Sequence, residues 1–316
     1  MVESPQGLVV GDLADDLLGL VAGTGLEGRI TVAQTPRLID SSNSVPDDWQ
    51  TIIDHLHAHR EGADAFVVLH GTDTMAYTAS ALAYALTDFD RPVVLTGAQL
   101  PLAADGSDAP ANAIGAIQAA ASGRATGVSL FFGHTLLAGP RATKESSWSY
   151  DAFFTPNVPP LAHVGAPWHW NPPLARGCGW ADPQPYRRQD VMIVHLYPGI
   201  TAARLATMLD PRPAAVIVRA YGVGDAPSDE PGLIDELAGA VDAGVPVIIS
   251  SQCAQADVRL DHYETGRALA DIGAIGSGDM TLEATYAKLV FLLSQGISPA
   301  EVAAWIPRNL AGELTE

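Results

Sequence analysis

At 316 residues the chain is long enough for two domains that each bury a core. Acidic residues outnumber basic ones 36 to 17, giving a formal charge of −19 and no Lys/Arg cluster to follow a phosphate backbone, which argues against nucleic acid as a partner. No run reaches the ~18 apolar residues of a membrane span, Cys178 and Cys253 form no metal-ligand or disulfide spacing, and the opening Met-Val-Glu-Ser-Pro-Gln has no signal-peptide pattern, so a reducing, cytoplasmic setting is expected.

Asp12 to Leu20 has helical patterning and precedes Val21 to Gly28, which contains a GxGxxG. A dinucleotide site needs a strand before that loop and a helix after it; here the order is reversed, and a Gly-rich turn is the reading. Ile30 to Ala33 is predicted as a strand, and a second short strand is expected to end near Ile39. The run Asp40-Ser41-Ser42-Asn43-Ser44 then leads into a helix, Trp49 to His59, with Ser44 as its cap, Pro46 in its first turn and Asp47 closing a capping box. Polar turn and helix cap is one reading of this run. Short hydroxyls and free N–H groups beside a helix start also suit a carboxylate, and the residues alone leave the two readings level. His55 and His59 share a helix face with His57 nearby, but without an HExxH pattern or distant ligands a solvated face is expected rather than a metal.

The next segment carries the chemistry. The apolar run Ala65 to Leu69 reads as a strand, His70-Gly71-Thr72-Asp73-Thr74 as a loop, and Asp73 to Leu86 as a helix. That order puts a hydroxyl and a carboxylate at the carboxyl end of a parallel strand, where open α/β sheets place their sites. Thr72 and Asp73 also suit a helix cap. An unassisted alcohol is a poor nucleophile, so a catalytic Thr72 needs a base. Lys144, in Arg141-Ala142-Thr143-Lys144 after the strand Val128 to Phe132, is the candidate in a Lys-poor chain.

Further strands are expected at Pro92 to Thr96, Val191 to Leu196, Ala214 to Arg219 and Pro246 to Ser250. Helices are expected at Pro110 to Ser122, Thr201 to Leu209, Gly232 to Ala243 and Thr281 to Ser294. The alternation predicts an α/β fold with parallel-rich sheets and crossover helices. We divide it into an N-terminal domain, 1–165, a Pro/Gly/Trp-rich linker, 166–189, and a smaller C-terminal α/β domain, 190–316.

Several segments together resemble the cytoplasmic, type I branch of the bacterial L-asparaginase family. They are Asp40-Ser41-Ser42 with Pro46-Asp47-Asp48-Trp49-Gln50, the HGTDTMAYTASAL run from His70 to Leu82, and Pro92 to Gln99. Thr143-Lys144 with Asp151-Ala152-Phe153, Tyr197 to Ile200, Arg219 to Gly224, Gln252-Cys253, Gly278 to Ala284 and Asn309 to Thr315 extend the match over nearly all of residues 40–316. The resemblance implies two α/β domains with the active site at the carboxyl edge of the first sheet, and a homodimer or homotetramer. It implies hydrolysis of the side-chain amide of L-asparagine, sometimes L-glutamine, with no metal or organic cofactor.

By position, Thr72, Asp73 and Lys144 match the family's Thr-Asp-Lys triad. Asp73 would also hold the substrate α-ammonium, Ser41 and Ser42 its α-carboxylate, and Ala98 with Gln99 would lie along the scissile amide. Glu283 lies near the place of an acid that a neighbouring subunit lends to the family's N-terminal triad, and Arg219 and Cys253 align with positions that in some type I members help form a regulatory asparagine site at a subunit interface. Burial would favour a neutral, basic Lys144 and the Asp73 carboxylate a cationic, orienting one.

The family also has an N-terminal strand leading into Thr-Gly-Gly-Thr-Ile, whose second Thr is taken as the acylated nucleophile, with a later Tyr assisting it. Neither stands in the printed chain: Met1 aligns just past the motif and Leu8 falls near the Tyr position. Two expectations follow, a functional start further upstream, or a catalytically weak or dead amino-acid-binding protein.

Overall fold

The computed structural model describes residues 14–22, 25–26, 28–261 and 264–315 in full, and the backbone alone of 2–4 and 7–9. The chain divides into two units, Met1–Leu174 and Ala175–Glu316.

The first unit opens with an antiparallel hairpin, β1 (Val2–Ser4) and β2 (Gly7–Val9), followed by α1 (Ala14–Leu20). After α2 (Pro46–His59) come β3 (Phe66–Leu69), α3 (Met75–Ala85), β4 (Val93–Thr96), α4 (Ala109–Ala121), β5 (Val128–Phe132) and β6 (Thr135–Ala138). A two-residue pair, β7 (Thr143–Lys144) and β8 (Phe153–Phe154), precedes β9 (Ala162–His163) and β10 (His169–Trp170). The main sheet has the order β10-β9-β6-β5-β4-β3; β3, β4 and β5 run parallel and the rest antiparallel.

The parallel strands β3, β4 and β5 are joined through α3 and α4, the crossover helices that parallel neighbours usually carry. Every residue of β4 and β5 is buried, which suits their unbroken Val-Val-Leu and Leu-Phe-Phe runs. Val94, Phe131 and Leu136 from the sheet pack on Ala116, Ala119 and Ala120 of α4, with Trp168 and Trp170 at the margin.

Three sequence expectations change here. Ile30 to Ala33 and the stretch ending at Ile39 are irregular chain rather than strand. Helix α2 begins earlier than Trp49, and its cap falls one residue later than expected: Val45 is the N-cap, and Asp48 rather than Asp47 accepts the cap N–H, at 2.9 Å. Asp48 is also gripped by Arg37. Of the GxGxxG, Gly23, Thr24 and Glu27 lie outside the described residues, as does Asp12; Gly25 and Gly28 have left-handed backbone, the geometry of a turn.

In the second unit, β11 (Val191–His195), α5 (Ala202–Met208), β12 (Ala215–Ala220), α6 (Leu233–Asp242), β13 (Val247–Ser251), α7 (Glu264–Asp271) and β14 (Ile275–Gly276) build an all-parallel sheet in the order β11-β12-β13-β14. Val216, Val218, Val247 and Ile249 pack against Leu205, Leu233 and Leu237 from α5 and α6. Then α8 (Leu282–Ser294) and α9 (Pro299–Trp305) lead to the C-terminal segment. Lys288 of α8, wholly buried, holds that segment: it donates to Glu313 at 2.6 Å and to the carbonyls of Ile306 at 2.9 Å and Arg308 at 2.5 Å. Burial pushes the Lys288 ammonium down from the usual lysine range and the Glu313 carboxylate opposes the shift. Among the described residues no helix is long and apolar enough to cross a membrane.

Candidate active site

At the carboxyl end of β3 the chain leaves the sheet through His70–Thr74 and enters α3. Thr72 and Asp73 sit in that loop, ahead of the helix, whose N-cap is Thr74. The Lys144 amine reaches across from β7, seventy-two residues on from Thr72: Nζ donates to Thr72 Oγ1 at 2.9 Å and to Asp73 Oδ1 at 3.0 Å. The Lys144 side chain is 20% exposed and Asp73 60%, so the carboxylate keeps a face open to a ligand while the amine is largely enclosed. Lys144 thus bridges a hydroxyl and a carboxylate, a grouping whose chemistry suits acyl transfer.

The loop is held from several sides. The His70 backbone N–H donates to the Thr96 carbonyl at 2.8 Å. His70 Nδ1 lies 2.7 Å from the Gly71 carbonyl, an acceptor, which assigns the proton to Nδ1; Nε2 then accepts from Thr78 Oγ1 at 2.9 Å. Burial holds the His70 pKa below the usual histidine value, consistent with that neutral tautomer.

Ser41 and Ser42 belong to a 3-10 turn, Ser41–Asn43, capped by Asp40. The Asp40 carboxylate accepts from Ser42 Oγ at 2.9 Å, the Ser42 N–H at 3.2 Å and Asn43 Nδ2 at 3.0 Å; the Ser42 hydroxyl above all holds its carboxyl below the usual range. Ser41 is buried and lies against Gly71, where any side chain at position 71 would overlap it. Thr74 Oγ1 donates to the Ser41 carbonyl at 2.8 Å, fastening the serine turn to the Thr72–Asp73 loop.

Ala98 and Gln99 follow β4, the neighbouring parallel strand, and are half-buried. Gly97 lets this segment in: a Cβ there would overlap the His70 carbonyl and stand 2.7 Å from Met75 Cε, so only glycine permits the approach. Asp108, buried at the start of α4, accepts the N–H groups of Gln99 and Leu100 at 3.0 Å. Asn112, one turn on, donates to Asp108 at 3.0 Å and to the Gly97 carbonyl at 2.9 Å, and accepts the Gly133 N–H at 3.0 Å. The Gln99 side chain points its amide at the Ser146 and Ser149 carbonyls, at 3.1 and 3.0 Å.

The structure therefore brings Thr72, Asp73, Lys144, Ser41, Ser42, Ala98 and Gln99 to one end of the first sheet. Sequence reasoning missed Gly97, Asp108, Asn112 and the Thr74 hydroxyl. The Asp108–Asn112 spacing of four at a helix start was a visible signal; the loops they hold were not.

The remaining candidates lie in the second unit. Glu283 is half-buried in the first turn of α8, two residues past the Thr281 cap. Arg219, near the end of β12, is in register with Ser250 of β13. Exposed Cys253 follows β13 and donates its N–H to Ser251 Oγ at 2.9 Å, so Arg219 and Cys253 share the carboxyl end of adjacent strands. Both cysteines are free. Among the described residues no group of three His, Cys, Asp or Glu could hold a metal, and His55 stacks on His59 at 5.8 Å between ring centroids.

Residues 4–176 match the family described as Asparaginase, N-terminal, and residues 190–306 match the Glutaminase/Asparaginase C-terminal domain. L-asparaginase 1 of Escherichia coli (strain K12) is 42% identical over 289 residues, 90% of this chain and 85% of that protein. The crystal structure of L-asparaginase I from Vibrio cholerae O1 biovar eltor superposes with a TM-score of 0.87 at 36% identity, covering 99% of this chain and 95% of that one. The thermostable L-asparaginase from Thermococcus kodakarensis gives 0.85 at 30% identity, covering 100% and 95%. With the two-domain α/β fold and the Thr-Asp-Lys cluster at its sheet edge, these likenesses show that the chain belongs to the type I L-asparaginase family.

Proposed function

We propose that the chain is an amidohydrolase that converts L-asparagine to L-aspartate and ammonia, with Thr72, Asp73 and Lys144 as its catalytic centre. The observation that carries this reading is the placement of Lys144 Nζ within 2.9 Å of Thr72 Oγ1 and 3.0 Å of Asp73 Oδ1. Lys144 orients the hydroxyl and, as the neutral amine, which alone has a lone pair to offer, is placed to take its proton. As Thr72 Oγ1 bonds to the side-chain amide carbon, that proton passes to the departing nitrogen; the C–N bond breaks, ammonia leaves, and water hydrolyses the threonyl ester to aspartate. Asp73, mostly exposed, receives the α-ammonium, and Ser41 and Ser42 the α-carboxylate. The backbone of Ala98 and Gln99 lies along the amide.

The working form is a homodimer or homotetramer, with Glu283 near the place of the acid a neighbouring subunit lends in the family, and Arg219 with Cys253 forms a regulatory site. An Arg219→Ala variant with an unchanged substrate-response curve removes that last role.

The test is ammonia release from L-asparagine by the purified chain, folded by circular dichroism. Activity lost in Thr72→Ala and in Lys144→Met supports the assignment. A folded chain that binds L-asparagine without releasing ammonia makes it an amino-acid-binding protein, and activity surviving Thr72→Ala moves the nucleophile elsewhere.

A further inference from the structure

The loop carrying Lys144 is built as a closed unit. The Glu145 N–H donates to the Ala152 carbonyl at 2.8 Å, one step beyond the Lys144–Phe153 pair of β7 and β8. Inside it, Ser146 Oγ accepts the N–H groups of Trp148 at 3.2 Å and Ser149 at 2.9 Å. Such a loop is one hydrogen-bonded unit, with Lys144 at its base.

That piece is fastened to the 97–108 segment at three points. Both protons of the Gln99 amide go to it, one to the Ser146 carbonyl and one to that of Ser149, and Tyr150 Oη donates to the Gly106 carbonyl at 2.8 Å. Gln99 is itself fixed: its N–H is held by the buried Asp108 carboxylate, which Asn112 locks to the Gly97 carbonyl. A side chain with both donors committed to one loop, on a backbone with its own buried anchor, works as a clamp.

We infer that Gln99 is a positioning residue that sets where Lys144 Nζ stands over Thr72 and Asp73, its side chain gripping the Lys144 loop rather than the substrate. The inference rests on the assignment of Lys144 to the catalytic centre, and it deepens that assignment. Only Gln99 can supply this pair of donors from position 99; a methionine there keeps the length and loses both, and a glutamate would turn acceptors toward two carbonyls.

The chain has two lysines, Lys144 and Lys288, and Lys288 belongs to the second unit. Protein labelled with ε-13C lysine therefore shows two signals, and Lys144→Met identifies one of them. In Gln99→Met and Gln99→Glu the Lys144 signal is expected to move toward that of free lysine while the Lys288 signal stays, an internal control for the fold. In the same variants kcat should fall by roughly ten- to a hundredfold, the scale of an ångström-sized misplacement, with KM moving less than about threefold. A Lys144 signal unmoved in both variants overturns the inference, as does a loss confined to KM. An unimpaired Lys144→Met enzyme would instead sink the catalytic assignment, and the lysine spectra report on the clamp regardless of turnover.

Discussion

Thr74 Oγ1 donates to the Ser41 carbonyl at 2.8 Å, so a residue of the helix cap fixes a turn thirty-three positions earlier. The Ser41–Asn43 turn, proposed to hold the substrate carboxylate, is thus fastened by one side chain to the loop that carries Asp73. In Thr74→Val that bond is lost at constant volume. We expect KM for L-asparagine to rise by about three- to tenfold with kcat changed little, at a stability cost of about 1 kcal/mol. Steady-state ammonia release and urea melts read the two effects separately.

Gly97 offers a steric test of the same site. A methyl there has the His70 carbonyl and Met75 Cε in its way, and neither is the free end of a surface side chain. Gly97→Ala should cost about 1–3 kcal/mol, as overpacking does, and shift Ala98 and Gln99 from their place. Activity falling no more than stability alone predicts, judged well below the melting temperature, would count against that displacement.

His70 gives a pH dependence with a definite sign. Its folded pKa lies below the ordinary 6.5, because burial disfavours the cation. The unfolded chain then binds more protons in the window between the two values. The contribution is fully present above about pH 6.5 and is lost as pH falls from there through the lower folded value. Melting temperature followed from pH 8 to pH 5 should decline less steeply in His70→Asn than in the parent, and matching slopes would refute the account.

The Lys288–Glu313 pair invites the usual exchange of a buried ion pair for apolar residues, which is often harmless. Here we expect otherwise. Glu313 also accepts the N–H groups of Leu310 at 2.9 Å and Ala311 at 2.7 Å, so Lys288→Met with Glu313→Leu orphans two backbone donors. Lys288→Met alone should cost about 3–5 kcal/mol, and the double variant should recover little of it in equilibrium unfolding.

Much of this was legible in the chain. The apolar run Ala65 to Leu69 and the run Val128 to Phe132, interrupted only by Ser129, appear as β3 and β5, and the strand-loop-helix reading of Ala65 to Leu86 placed Thr72 and Asp73 at the sheet edge. Ile30-Thr31-Val32 misled because β-branched residues favour strands only where a neighbour is there to pack on. The two-residue strands β9 and β10 are too short to show a period. Helix α9 was signalled and overlooked: Ser298 and Glu301 form a reciprocal capping box, with Pro299 in the first turn. The reach of Lys144 to Thr72 was not legible, since it depends on the placement of a hairpin that no local pattern encodes.

The burial of Lys288 has a practical side. With that amine sealed, the only lysine side chain open to solvent is the one resting on Thr72. Acylating agents, aldehyde supports and cyanate, all of which seek unprotonated lysine, will among the lysines find the proposed catalytic centre where they would ordinarily find a harmless surface. Coupling through carboxylates, of which the chain carries 36, is the route to an immobilised form that keeps Lys144 unmodified.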